Sequence, residues 1–249
     1  TASPPAPART SAARTNAWPL LQEPIETIPL RAMRGTIAKR MHESLQTMAQ
    51  LTLSMDADVD ALLADRAARK DTAGGRPVPS ITDYVVKATA IALQRHPRLN
   101  AQVTDAGIAV LGEVHVGLAV AVDNGLLVPV IHQTPELSLD DLGAESRRLA
   151  GAARDGALGP SDLEGGTFSV STLGMFGVDM FTPVINPPNA GILGVGRLRD
   201  ELRLADGEVR STKVMTLSLT WDHRVVDGAP AAEFCREIVG LLATPDLLA

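Results

Sequence analysis

Residues 217–230 read LSLTWDHRVVDGAP, and the change of character along this stretch decides how the chain is built. Leu217, Leu219 and Trp221 recur at spacing two, with Ser218 and Thr220 between them, which is the period of a half-buried strand. The alternation stops at Asp222. His223, Arg224, Asp227 and Gly228 then crowd a short connection before Pro230, where a helix with the apolar stripe Phe234, Ile238, Leu241 and Leu242 is expected. A histidine at a strand end in such a connection faces a cleft rather than a core. Imidazole titrates near working pH, as a general base must. Two readings are open here: a base placed for chemistry, or a hydrogen-bonded histidine in a turn.

The same strand signals appear upstream at Thr167–Thr172 and Ala190–Val195, with an Asp206-Gly207 hairpin turn before the strand at Val214–Trp221. Residues 114–131 read strand, turn, strand around Asp123-Asn124-Gly125. Nearer the N-terminus, Ile37, Met41, Leu45 and Met48 recur at helical spacing, and Leu51, Leu53 and Met55 then recur at spacing two. Asp58 is expected to cap a helix reaching about Lys70. Ser80 with Asp83 forms a capping-box pattern for a helix ending near His96-Pro97, and Ser138 with Asp141 caps another that runs to about Arg154 and stops at Gly156. No internal repeat is present. The pattern predicts an α/β fold, a two-layer sandwich of a mixed sheet covered by helices.

Composition removes several function classes. The chain has 249 residues, 45% of them hydrophobic, and a net charge of −6, enough for one large domain. Its 23 Lys and Arg are interleaved with 29 Asp and Glu and only 3% of residues are aromatic, so no nucleic-acid face is expected. Apolar runs such as Val116–Val122 are far shorter than a membrane span. Cys235 is the single cysteine, which excludes an internal disulfide and points to a reducing compartment. Residues 1–24 are Ala/Pro-rich and read as a flexible interdomain linker, favoured over a transit peptide, so further domains are expected upstream of a domain at 25–249.

Among the remaining polar residues, His42, His96, His115 and His132 have ordinary structural explanations, and no pair has metal-site spacing. Asp227 lies four residues after His223 and would either orient its ring or pair with an arginine. No Gly-x-Ser-x-Gly elbow exists to supply a hydrolase nucleophile, and Cys235 lies beside core Phe234 in the closing helix. The other polar spot is GTFSVSTLGMFG, residues 166–177, where Ser169, Ser171 and Thr172 run into a glycine-bearing turn. It fits neither GxGxxG nor the P-loop.

DHRVVDG (222–228), GTFSVSTLGMFG (166–177), INPPNAGILGVG (185–196), HPRLNA (96–101) and GLLVPVI (125–131), with PLRAMRGTIAKRMHESLQTMAQLTL (29–53), resemble the catalytic domain of the dihydrolipoamide acyltransferases, the core component of 2-oxo acid dehydrogenase complexes. The resemblance covers about residues 25–249. It implies the chloramphenicol-acetyltransferase-like fold, a homotrimer, and acyl transfer between coenzyme A and the dihydrolipoyl thiol of a lipoyl-lysine carried on a separate upstream domain, with no metal. His223 would be the base for the attacking thiol and Ser171 the hydroxyl donor to the oxyanion. Asp227 would be a brace paired with Arg34. His223 and Ser171 would come from different subunits. Thr172 departs from the Asn or Ser usual after the serine, and Asp222 stands where the antibiotic acetyltransferases carry a second histidine. Met175, Phe176 and Met180 are the expected pocket walls, and Leu247 and Leu248 the expected contact between trimers of a hollow core. Implied partners are the lipoyl domain and the decarboxylase and dihydrolipoamide dehydrogenase components. The implied location is the bacterial cytoplasm rather than the mitochondrial matrix. Rival readings are an inactive scaffold of the same fold and a free-standing acetyltransferase for a small acceptor.

Overall fold

The computed structural model describes residues 22–123, 125–205 and 207–248. Most of the expected linker, Asn124 of the first turn and Asp206 of the second lie outside the described residues. Residues 22–31 are exposed and precede α1 (Ala32–Thr47) and β1 (Gln50–Asp58). The chain continues through α2 (Asp60–Thr72), α3 (Ile81–Arg95), β2 (Ala101–Thr104), β3 (Gly107–Val110), β4 (Val116–Leu118), β5 (Val120–Val122), β6 (Gly125–Leu127) and β7 (Val130–Ile131). It closes with α4 (Leu139–Asp155), β8 (Phe168–Thr172), β9 (Gly191–Ala205), β10 (Glu208–Asp222) and α5 (Gly228–Ala243). No described helix is long and apolar enough to cross a membrane.

The main sheet has the order β1-β10-β9-β8-β4-β7, with β8 parallel to both of its neighbours and the other pairs antiparallel. It is therefore mixed, as expected. The caps hold as well. Ser80 and Asp83 exchange both capping-box bonds, Ser138 Oγ accepts from the Asp141 amide, and Gly156 closes α4 in the left-handed region at φ 68°. Asp58 is a correction: it ends β1, and Val59 is the N-cap of α2, while an Asp58 carboxylate oxygen accepts from the Asp60 amide at 3.1 Å. The hairpin at 114–131 is also broken in two. The Leu118 amide donates to Pro129 O and the Ala119 amide to Val170 O, so β4 and β7 join the main sheet while β5 and β6 form their own ladder.

The two faces of the sheet differ in chemistry. Phe168, Val170, Leu193, Leu217, Leu219 and Trp221 are buried in the apolar core with α3 and α5, and the Phe168 and Phe234 rings meet edge to face, 5.9 Å apart. The opposite face carries hydroxyls, paired across strands as Thr52 with Thr220 at 2.7 Å and Ser54 with Ser218 at 3.0 Å. Residues 173–190 pass over this second face, and Gly196 is what lets them lie close. A Cβ there would stand 1.9 Å from the Asp179 carbonyl oxygen. Gly196→Ala is expected to destabilise the fold by about 3 kcal/mol or more, because backbone rather than a flexible side chain must move. Thermal unfolding followed by circular dichroism checks this.

Candidate active site

The loop after β10 is held from three sides, which leaves His223 outside the core. The Trp221 indole nitrogen donates to Val226 O at 2.8 Å, clasping the loop onto the strand that precedes it. The His223 amide donates to Ala49 O at 2.8 Å, tying the loop to the residue before β1. Asp222 is 2% exposed, and its Oδ1 accepts from the Ala49 amide at 3.3 Å, the Arg224 amide at 3.1 Å and Arg224 Nε at 3.0 Å. Val225 and Val226 anchor inward, so His223 and Arg224 turn outward. The His223 ring is 43% exposed, its Nδ1 lies 3.9 Å from Asp227 Oδ1, and it lies in a tilted arrangement 6.0 Å from the Trp221 ring. At that distance Asp227 is a neighbouring charge rather than a hydrogen-bond partner.

Burial works to raise the Asp222 carboxyl pKa, but hydrogen bonds from Arg224, its charge and the Ala49 amide hold it below the ordinary 3.8. A depressed folded-state value contributes stability that is fully present above the ordinary value and is lost as pH falls through the lower, folded one. Asp222→Asn is therefore expected to cost about 2 kcal/mol near neutral pH. The gap from the unsubstituted chain should narrow in acid below 3.8. Urea unfolding at neutral and acid pH measures both.

Ser171 lies near the end of β8, and among the described residues no hydrogen bond engages its hydroxyl. It lines a cleft of about 560 Å³ with apolar walls from Leu118, Val120, Leu126, Leu173, Met175 and Phe176, closed on the other side by α3 and α4. Met175 and Phe176, the proposed pocket walls, are among the residues that line this cleft. Met180 is a correction: it is exposed, and the passage over the sheet carries it outside the cleft. Arg147 and Arg154, one face of α4, also line the cleft. Their sevenfold spacing was visible in the sequence, but which face of that helix met Ser171 depended on packing.

Register separates the two expected catalytic residues. Ser171 is level with Gly194, which is level with Ser218 on β10. His223 lies five residues beyond Ser218, roughly 17 Å along the strand, and two strands to the side, about 10 Å. Within one chain they serve opposite ends of the sheet.

Two further expectations are corrected. Arg34 and Asp227 form no ion pair in the described chain; the side chains of Met33 and Ile37 hold the start of α1 against Gly125, and the loop's brace is Asp222–Arg224. Leu248 is fully buried in its own chain, so of the C-terminal pair only Leu247, 61% exposed, is presented outward. Burial pushes the Cys235 thiol up to about 12, which suits packing and not nucleophilic work.

Comparison with known proteins accords with this geometry. Residues 22–249 match the family described as 2-oxoacid dehydrogenases acyltransferase (catalytic domain). The dihydrolipoyllysine-residue acetyltransferase component of the acetoin cleaving system of Bacillus subtilis is 41% identical over 94% of this chain, which spans 60% of that relative's length. A solved structure of Azotobacter vinelandii dihydrolipoamide acetyltransferase, concerned with the roles of a serine, a histidine and an asparagine in its catalytic mechanism, is 34% identical, with a TM-score of 0.85 over 90% of this chain and 94% of that one. Those three residues have the order and the spacing, 52 and 4 positions, of Ser171, His223 and Asp227. Chloramphenicol acetyltransferase, at 14% identity and a TM-score of 0.51 over 87% of this chain and 99% of that one, shares the fold. The chain belongs to the 2-oxoacid dehydrogenase acyltransferase family.

Proposed function

We propose that this chain transfers an acyl group between coenzyme A and the dihydrolipoyl thiol of a lipoyl domain, as the oligomeric core of a 2-oxo acid dehydrogenase complex. The observation that carries this reading is the pair Ser171 and His223, each presented with a free polar group, at the spacing found in the Azotobacter vinelandii enzyme. A thiol with a pKa near 8.5 is mostly un-ionised at neutral pH. His223 accepts its proton as sulfur attacks the thioester carbonyl. The Ser171 hydroxyl donates to the oxyanion, the old carbon–sulfur bond breaks, and the imidazolium returns its proton to the departing thiolate. Asp227 stands where the relative has its asparagine, with Oδ1 3.9 Å from the His223 Nδ1.

Because His223 and Ser171 lie at opposite ends of one chain's sheet, the reading needs a neighbour. Base and hydroxyl meet between copies of a homotrimer, and such trimers assemble further, with exposed Leu247 as a contact. The decarboxylase and dihydrolipoamide dehydrogenase components are the matching partners, and the single reduced, buried Cys235 suits the bacterial cytoplasm. Acetyl-, succinyl- and isobutyryl-coenzyme A offered with dihydrolipoamide test the reading through formation of the acyl-dihydrolipoamide thioester. Acetyl is the first donor to try, given the Bacillus subtilis relative. Absence of transfer from all three would contradict the reading.

A further inference from the structure

The turn between α1 and β1 holds two distant parts of the chain at once. Ser44 is the one buried residue of α1, and its hydroxyl donates to Ile185 O at 2.6 Å. Gln50 Oε1 accepts from the Ile185 amide at 3.2 Å, and Gln50 Nε2 donates to Ser44 Oγ at 2.8 Å. Two side chains thus engage both backbone groups of Ile185, as a neighbouring strand would. Residues 180–184 make no hydrogen bond among the described residues, so buried Ile185 is where the passage over the hydroxyl face is next held after Asp179. The backbone of the same turn grips the loop after β10. Gln50 opens β1, an edge strand, and is level with Asp222. Beside it, Ala49 O accepts from the His223 amide at 2.8 Å and the Ala49 amide donates to Asp222 Oδ1 at 3.3 Å. The last pair of an edge strand frays readily unless something besides the ladder holds it. Here the Gln50 side chain does.

We propose that Gln50, seated by Ser44, is a positioning residue for the base: its carboxamide pins the end of β1 to Ile185, and so fixes the Ala49 carbonyl that holds His223. This rests on the acyltransferase reading above and adds which residue sets where each chain presents its imidazole. Gln50 touches no reacting atom. Without its side chain the Gln50–Asp222 pair opens, Ala49 no longer holds the loop from that side, and the ring shifts relative to the thiol it must deprotonate. A misplacement of about 1 Å costs up to about 10²-fold in rate, so partial loosening of one of the loop's three supports is expected to cost about tenfold.

The test uses the assembled protein and Gln50→Ala. With the acyl group that the unsubstituted enzyme accepts, kcat should fall about tenfold while KM for acyl-coenzyme A and for dihydrolipoamide stays within about twofold. In a His223→Ala background the same substitution should lower the residual rate by less than about twofold, because a residue that acts through the imidazole then has nothing left to position. Equal losses in the two backgrounds, or an unchanged kcat, would overturn the proposal. Hydrogen exchange read by mass spectrometry should quicken at residues 222–228 as well as at 180–190, and quickening confined to 180–190 overturns it equally. If the alanine variant fails to assemble, Gln50→Glu decides. It keeps an acceptor for the Ile185 amide and loses the donor to Ser44, so kcat should fall at least about threefold with KM unchanged, and an unchanged kcat overturns the proposal. An unsubstituted protein that transfers no acyl group contradicts the acyltransferase reading, and the exchange result then still decides whether Gln50 holds the loop.

Discussion

Replacing His223 by alanine is expected to lower acyl transfer from acyl-coenzyme A to dihydrolipoamide by about 10²–10⁴-fold, the range a positioned general base contributes. The assembly should stay intact, because the ring is partly exposed and the loop is fixed by other groups: the Trp221 indole, the Asp222 carboxylate and the His223 amide itself. The loss should also depend on pH. Without the imidazole the attacking thiol must ionise unaided, so the variant's rate should climb as pH approaches the thiol's own value near 8.5. Activity across pH, with light scattering for assembly, checks both parts. Unchanged turnover at neutral pH would remove His223 from the chemistry.

The second large effect belongs to Ser171. Its hydroxyl lies on the cleft wall and has no partner among the described residues, so Ser171→Ala removes a donor and little packing. Turnover is expected to fall about 10²–10³-fold, the cost of losing one oxyanion donor. The fall should appear in kcat, with KM for the coenzyme A substrate nearly constant, because the bond forms only as charge develops on the oxygen. A variant that raised KM and kept kcat would make Ser171 a binding residue.

How much of this was legible in the sequence varies with how local the cause was. The Ser80/Asp83 box and the Gly156 stop are short-range, and both were readable. So was the strand that ends just before His223, because Leu217, Leu219 and Trp221 face one core. The distal halves of β9 and β10 were not. They alternate charged and polar residues, among them Arg199, Asp200, Arg203, Arg210 and Lys213, and carry exposed Leu202, Leu204 and Val209, so the strand period there has no buried face to reveal it. The β2–β3 hairpin was missed for a similar reason, with strands of four residues that are mostly exposed. At the candidate site, His223 and Ser171 stand out in the sequence as residue types, but their separation does not, because it follows from strand register. The brace was misassigned to Arg34 because Asp222 and Arg224, two residues apart, look like ordinary loop charges until burial of Asp222 shows what they do.

Each active site is expected to take its base from one copy and its hydroxyl from another, and complementation between two inactive variants checks this. His223→Ala protein keeps Ser171, and Ser171→Ala protein keeps His223. Each should be nearly inactive alone. Unfolded together in equal amounts and refolded into mixed assemblies, they should recover about one quarter of the unsubstituted activity, since one interface in four then joins an intact histidine to an intact serine. If mixed assemblies form and show no activity above the two parents, base and hydroxyl do not meet between copies, and the account is wrong.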